Sequence, residues 1–311
     1  MRLFLALVAL LMAFPASAEK RIAISFDDIP RTPGAFFNSS DKRTVALISA
    51  LKKAKVKQAG FFVTSGNLDK PHGAGGEARI AAYVKAGHIM GNHSHSHKWL
   101  SRMTTADYLA DIDNAEFWLK GRPGYRPWFR YPYLGEQGTG AEQRDTVRAG
   151  LRQRGLKNAY ITVDNYDWHL ENLASNARRN GKAMDMDALR KLYVETMLLT
   201  ANHYEVIAQE VLNRSPIHVL LLHETDLNAM YIADVVHALR KDGWNIATMD
   251  EAYRDPIAAN EPDTLYLGQG RIAALGYLTG MKPERLAYER TDEDVLAKLF
   301  NQRVLKEATA P

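Results

Sequence analysis

Three side chains are spaced as a divalent-metal site would need them. Asp27 and Asp28 follow an apolar run, and His93-Ser-His-Ser-His97 supplies two imidazoles four residues apart. One carboxylate and two imidazoles hold zinc while leaving positions open for water and substrate, the condition for a catalytic rather than a structural site. Asp28, His93 and His97 can provide that set, whether the histidines lie in a loop or on one helical turn. His95, between them, points elsewhere in either geometry. The chain has no cysteine, so thiolate zinc sites are excluded. A bound ion of this kind lowers the pKa of its water towards about 7 and polarises a carbonyl oxygen. Asp27 is then free to take the water proton, with Arg130 beside it to keep it ionised and oriented. Breaking an amide also needs a proton for the departing amine. His223, at the end of another apolar run, is the candidate acid, and Asp164 and Asp167 are both available to hold its imidazolium.

Each residue alone has a structural explanation. Paired aspartates cap turns, His-x₃-His among serines can be a solvated loop, and arginine after an aromatic strand is usually an ion-pair partner. The joint placement decides otherwise. Five strand-like runs end in such groups: Asp27-Asp28, Asn92 to His97, Arg130, Asp164 and His223. In β/α barrels, groups at the C-terminal ends of different strands converge on one face.

The elements needed to position them can be read from periodicity. Strands are expected over residues 21–26, 58–64, 88–90, 127–129, 158–163, 216–222 and 244–248. Between them fall segments of helical period. The first has Val45, Leu47, Ile48 and Leu51 on one face, and others lie near 80–85, 145–154, 185–213 and 232–240. Residues 104–119 form another, with Thr104 and Asp107 as a capping box. The alternation implies an α/β fold with parallel strands. It fades after about residue 255, where Leu265-Tyr-Leu267 and Gly268-Gln-Gly270 suggest a turn-rich appendage and 292–305 a closing helix. The expected organisation is 1–18 signal peptide, 19–254 a single β/α domain, and 255–311 a C-terminal extension.

Composition sets the outer limits. The 311 residues are 46% hydrophobic and 24% charged, which excludes collagen-like, disordered and disulfide-scaffold classes. A net charge of +4, spread without a basic block, is too small for a nucleic-acid footprint. Arg2, the apolar run 3–14 and Ala16-Ser17-Ala18 read as a cleavable export signal. That run is too short for the roughly 20 residues of a membrane span, and no cysteine follows it for a lipid anchor. The mature chain is expected to be periplasmic or secreted, with no stable membrane anchor, no nucleic acid and no protein partner implied.

The chain resembles the NodB-type polysaccharide deacetylases, the family-four carbohydrate esterases. The resemblance covers about residues 20–254 and rests on five motifs in order: Ser25-Phe-Asp-Asp28, His93-Ser-His-Ser-His97, Arg130-Tyr-Pro-Tyr133, Asp164-Asn-Tyr-Asp-Trp168 and Leu220-Leu-Leu-His223. It implies a distorted, incomplete (β/α) barrel of about seven parallel strands. It implies Asp27 as base, Asp28, His93 and His97 as ligands of zinc (or cobalt or nickel), Arg130 holding Asp27, and Asp167 tuning His223 as acid. The Tyr133 backbone N–H would help stabilise the oxyanion, and Trp168 and Leu221 would wall the acetyl pocket. The implied substrate is an acetylated glycan, chitin oligosaccharide or peptidoglycan, losing N-acetyl or less often O-acetyl groups. Ile29-Pro30 replaces the usual glycine after the aspartates, Ser25 stands where threonine is commoner, and the 185–213 helix is an insertion. A catalytically silent glycan-binding protein is the alternative from another class, against which the complete set of ligands, base and acid stands. An iron oxygenase with two histidines and one carboxylate is a third, poorly matched by an aspartate so far before the His-x₃-His pair.

Overall fold

The computed structural model describes residues 19–307, so the expected signal peptide over 1–18 lies outside the described residues. In chain order the elements are β1 (Arg21–Ile29), α1 (Ser40–Lys53), β2 (Gly60–Val63), α2 (Gly76–Lys85), β3 (Ile89–Asn92), α3 (Thr105–Leu119), β4 (Tyr125–Phe129), α4 (Ala141–Gln153) and β5 (Lys157–Asn158). There follow α5 (Asp167–Arg179), α6 (Met186–Leu212), β6 (Ile217–His223), α7 (Asp226–Lys241), β7 (Asn245–Ile246), α8 (Met249–Ala252), α9 (Arg271–Leu278), α10 (Pro283–Leu286) and α11 (Glu293–Phe300). No helix among the described residues is long and apolar enough to cross a membrane.

All strand pairs are parallel, in the order β5-β4-β3-β2-β1-β6, with β7 against the start of β1. The sheet curls towards closure through one irregular segment. Residues 157–163 begin beside β4, where the Ala159 N–H donates to Phe129 O at 2.7 Å. They end beside β6, where the Thr162 and Val163 N–H groups both donate to Val219 O at 3.1 Å. A segment that must leave one edge for the other cannot stay in register with either. The strand expected over 158–163 is therefore a two-residue strand and a single bridge, Val163 to Leu220. The result is the distorted, incomplete α/β barrel of about seven parallel strands.

Strands β2 and β3 are buried throughout and β1 nearly so, as parallel strands covered on both faces must be. Helix α1 turns a different face inward than its apolar spacing suggests. Val45 is 68% exposed, while Arg43, Thr44, Leu47 and Leu51 are buried, because the Arg43 guanidinium reaches Glu224 beneath the barrel rim. Thr104 caps α3 through its hydroxyl as expected, but Asp107 accepts the hydroxyl proton (2.7 Å), so the cap is not the reciprocal box. Helix α5 was not anticipated: apart from Trp168, which lines the cleft, its sequence is polar except for Leu170, Leu173, Ala174 and Ala177, too small a stripe to stand out. Residues beyond 255 fold back rather than forming a turn-rich appendage. Ile272, Leu286, Leu296 and Phe300 enter the main hydrophobic core, and α9 packs on α6.

Candidate active site

Parallel register delivers the polar groups to one rim. β1 pairs with β6 over seven positions, ending with Asp27 beside His223. β3 pairs Asn92 with Phe129 of β4, so His93 and Arg130 leave neighbouring strands together. The Arg130 N–H still reaches Asn92 O at 2.8 Å.

Asp28, His93 and His97 form one group whose ligand atoms all lie within 4.8 Å of one another. Asp28 Oδ1 is 2.9 Å from His97 Nε2 and 3.4 Å from His93 Nε2. His93 Nδ1 lies 2.8 Å from the Arg130 carbonyl, which can only accept, so this nitrogen carries a proton and the ring is fixed with Nε2 towards Asp28. Asp28 Oδ1 is buried and meets no hydrogen-bond donor. A donorless buried carboxylate oxygen facing two imidazole nitrogens fits a small divalent cation. The other Asp28 oxygen pairs with Arg31 Nη1 at 2.6 Å. Burial would raise the Asp28 carboxyl, but the two histidines and Arg31 outweigh it and hold it well below the usual carboxylate range.

On one side of this group, Arg130 Nη1 spans both Asp27 oxygens at 3.0 and 3.1 Å. The guanidinium is 1% exposed and fixed elsewhere too. Nη2 reaches Ser25 Oγ at 3.3 Å and Tyr253 Oη at 3.0 Å, Nε donates to Ala159 O, and the Phe62 ring lies 4.1 Å beneath. Burial would lower the Arg130 pKa, but Asp27 and Tyr253 hold it above its ordinary value.

On the other side, His223 Nδ1 bonds Asp167 Oδ1 at 2.7 Å. The fully buried Asp167 also accepts from the His223 N–H and from Asn228 Nδ2, both at 2.8 Å. Burial pulls the His223 pKa down; Asp167, helped by Asp28, reverses this and leaves it raised. Of the two carboxylates available for this role, Asp167 makes the contact. Asp164 lines the cleft instead, its pKa pushed up to about 7 by burial, with Asp167 and Asp27 adding to the effect.

Asp27, Asp28, His93, His97, Asp164 and His223 line one cleft of about 820 Å³. Tyr133, Trp168 and Leu221 line it as well. Tyr133 stacks on Trp99 with centroids 4.4 Å apart and packs against the His97 ring at 4.5 Å. Eight described non-glycine residues have positive φ, and Asp28, His97, Tyr133 and Leu134 of this cleft are half of them. Such conformations persist where surrounding structure over-determines them, commonly at functional sites.

Eight of the ten residues singled out from sequence line this cleft: Asp27, Asp28, His93, His97, Tyr133, Trp168, Leu221 and His223. Arg130 and Asp167 each sit directly behind one of them. Sequence reasoning missed Arg31, Tyr253, Asn228 and the Leu265–Gln269 wall. Asn228 had a signal, since it opens a helix five residues after His223. Tyr253 had none, being 123 positions from the arginine it bonds.

The polysaccharide deacetylase family profile matches residues 15–159. That stretch, a little under half of the chain, is similar to polysaccharide deacetylases. Among curated proteins similar to it, chitin deacetylase 2 of Saccharomyces cerevisiae is 33% identical over 87 residues, 28% of this chain and 26% of the yeast protein. The peptidoglycan-N-acetylglucosamine deacetylase PgdA of Listeria monocytogenes is 27% identical over 158 residues, 50% of this chain and 28% of its own. The chain thus spans little more than a quarter of the length of these polysaccharide deacetylases. A family 4 carbohydrate esterase from Streptomyces lividans, solved with acetate, superposes with a TM-score of 0.49 at 19% identity, over 76% of this chain and 97% of that one.

Proposed function

We propose that the chain is an exported, divalent-metal-dependent deacetylase that hydrolyses N-acetyl groups on N-acetylhexosamine glycans such as chitin oligosaccharides or peptidoglycan. One observation carries the reading: the Asp28-His93-His97 group, whose Asp28 Oδ1 meets no donor, lines the cleft between a carboxylate-guanidinium pair and an imidazole-carboxylate pair. The names of the curated relatives favour N-acetylglucosamine polymers, and the export signal over 1–18 favours a periplasmic or secreted location. Zinc best suits one carboxylate and two imidazoles, with cobalt or nickel as substitutes.

Asp28, His93 and His97 would hold the cation, which when bound lowers the pKa of a water and polarises the acetyl carbonyl. Asp27 takes the proton from the attacking water, oriented for this by Arg130. As the C–N bond breaks, His223 gives its Nε2 proton to the amine, and Asp167 stabilises the imidazolium until then. Acetate and a free amino sugar leave. The Tyr133 backbone N–H stabilises the developing oxyanion, a contribution of about 10²–10³ in rate at comparable sites. Trp168 and Leu221 bound the space for the acetyl methyl.

The test is acetate release from N-acetylated chito-oligosaccharides, peptidoglycan and an O-acetylated xylan, before chelation, after it and after zinc is restored. Activity that survives chelation would sink the metal-dependent mechanism. Glycan binding without turnover under zinc, cobalt and nickel would establish the silent binder instead, and release from xylan alone an O-acetyl esterase.

A further inference from the structure

We infer that the segment Leu265–Gln269 is a glycan-contacting wall that makes the cleft favour an extended acetylated chain over a short one, a role that rests on the deacetylase reading above. All five residues line the same cleft as Asp28, His97 and His223, although they are remote in sequence from every catalytic motif.

The wall is built and anchored at both ends. Before it, Arg144 donates to Thr264 O at 2.8 Å and to Asp263 Oδ1 at 2.6 Å. After it, the Arg271 N–H donates to Ile161 O at 2.8 Å, tying the segment to the barrel seam. Gly270 has φ 85°, and a Cβ there would meet Ile161 Cδ1 at 2.5 Å and Ile161 O at 2.9 Å. Only glycine lets the chain lie this close. Leu267 is buried as a peg, and Tyr204 Oη donates to Gln269 Oε1 at 3.4 Å.

Between the anchors the wall presents apolar surface to the cleft. Leu265 is 51% exposed, and the Tyr266 ring is half-buried, held parallel to Tyr277 with centroids 4.9 Å apart. Pyranose rings expose flat C–H faces that pack on such fixed surfaces, while their hydroxyls need only an amide such as Gln269. Tyr133, 47% exposed on its Trp99 backing, offers the cleft a second surface of the same kind. The cleft volume of about 820 Å³ sits near the top of the roughly 300–1,000 Å³ that encloses drug-sized ligands, and one acetamido sugar is about half such a ligand. The space therefore fits more than the sugar being deacetylated.

The test compares fully N-acetylated chitobiose with chitohexaose on wild type and on Leu265→Ala/Tyr266→Ser, with thermal midpoints measured alongside. The expected result is a KM for the hexamer raised about tenfold, with the dimer unchanged. A uniform change on both lengths, or none on either, overturns the role. If the double variant unfolds early, Leu265→Ala alone must show the same length-dependent split. Should wild type release no acetate from either oligomer, the deacetylase reading fails separately. Calorimetric binding of chitohexaose then decides the wall, with equal affinities, or no binding at all, overturning it.

Discussion

The two flanks of the metal-ligand group hold their charges in opposite ways. At Asp27 a carboxylate faces the cleft with a buried guanidinium behind it, and at His223 an imidazole faces the cleft with a buried carboxylate behind it. Each buried partner is itself tied down, Arg130 by Ser25, Tyr253 and Ala159 O, Asp167 by Asn228 and the His223 N–H. In both pairs the rear group has a fixed charge, and it determines what the front group can do with a proton. A cation behind a carboxylate favours an acceptor; an anion behind an imidazole favours a donor. The same architecture with the signs exchanged thus suits the proposed base and the proposed acid about one candidate metal-ligand group.

The harshest test of that contrast is Asp27→Asn, which removes the acceptor and leaves Arg130 without its counter-charge. Acetate release should fall about 10³-fold while zinc content, read by elemental analysis, is unchanged. Near-normal turnover would show that this flank is structural. On the other flank, Asp167→Asn should cost about 10²-fold in kcat and also move the pH profile. Burial lowers the His223 pKa and Asp167 raises it above its ordinary value. The proposed mechanism needs His223 protonated, so without Asp167 the alkaline limb of kcat should shift to lower pH. A limb that stays in place would assign the donor elsewhere.

Asp164 belongs to neither pair and makes the contrast sharper. Its side chain is bonded by no other side chain among the described residues, and burial carries its pKa up to about 7. An unfolded aspartate titrates near about 3.9, so across the interval up to about 7 the native state keeps a proton that the unfolded chain has lost. Stability should therefore fall as pH rises through that interval. Water in the open cleft screens the charge, so the loss is about 2 kcal/mol rather than the roughly 4 of a fully enclosed group. Asp164→Asn cannot titrate, and its denaturant midpoint should drop less than that of wild type between pH 4.5 and 7.5. Parallel slopes would place the titrating group elsewhere.

Much of this site is legible in the sequence because its chemistry sits where apolar runs stop. Asp27, Arg130 and His223 each come directly after apolar residues that a strand buries, and His93 directly after the buried β3, although β4 is buried only at Trp128 and Phe129. What the sequence does not carry is long-range register. Nothing local says that Asp27 lies beside His223, or that Asp167 rather than Asp164 bonds its imidazole, since that choice depends on where α5 begins. Helix α5 was hidden by its small apolar stripe, and residues 157–163 looked like a full strand because their apolar run serves two strand edges in turn. The Leu265–Gln269 wall looks like part of a turn-rich appendage in the sequence because its anchors, Arg144 and Ile161, are more than a hundred positions away.

The smallest expected effect concerns how redundantly the base flank is anchored. Tyr253 Oη accepts from Arg130 Nη2 at 3.0 Å and donates to Tyr160 O at 3.0 Å. Tyr253→Phe removes both bonds but leaves Arg130 its contacts with Asp27, Ser25, Ala159 O and the Phe62 ring. The guanidinium should therefore stay in place, and kcat should fall only about fivefold, near 1 kcal/mol, with KM unchanged. The matching change on the acid flank is Asn228→Ala, which takes from Asp167 one of its two donors other than the imidazole. With less to replace it, Asn228→Ala should cost more than Tyr253→Phe and should move the alkaline limb, which Tyr253→Phe should not. Equal losses, or a limb that moves in both variants, would mean that the two flanks are not the mirror-image devices their geometry describes.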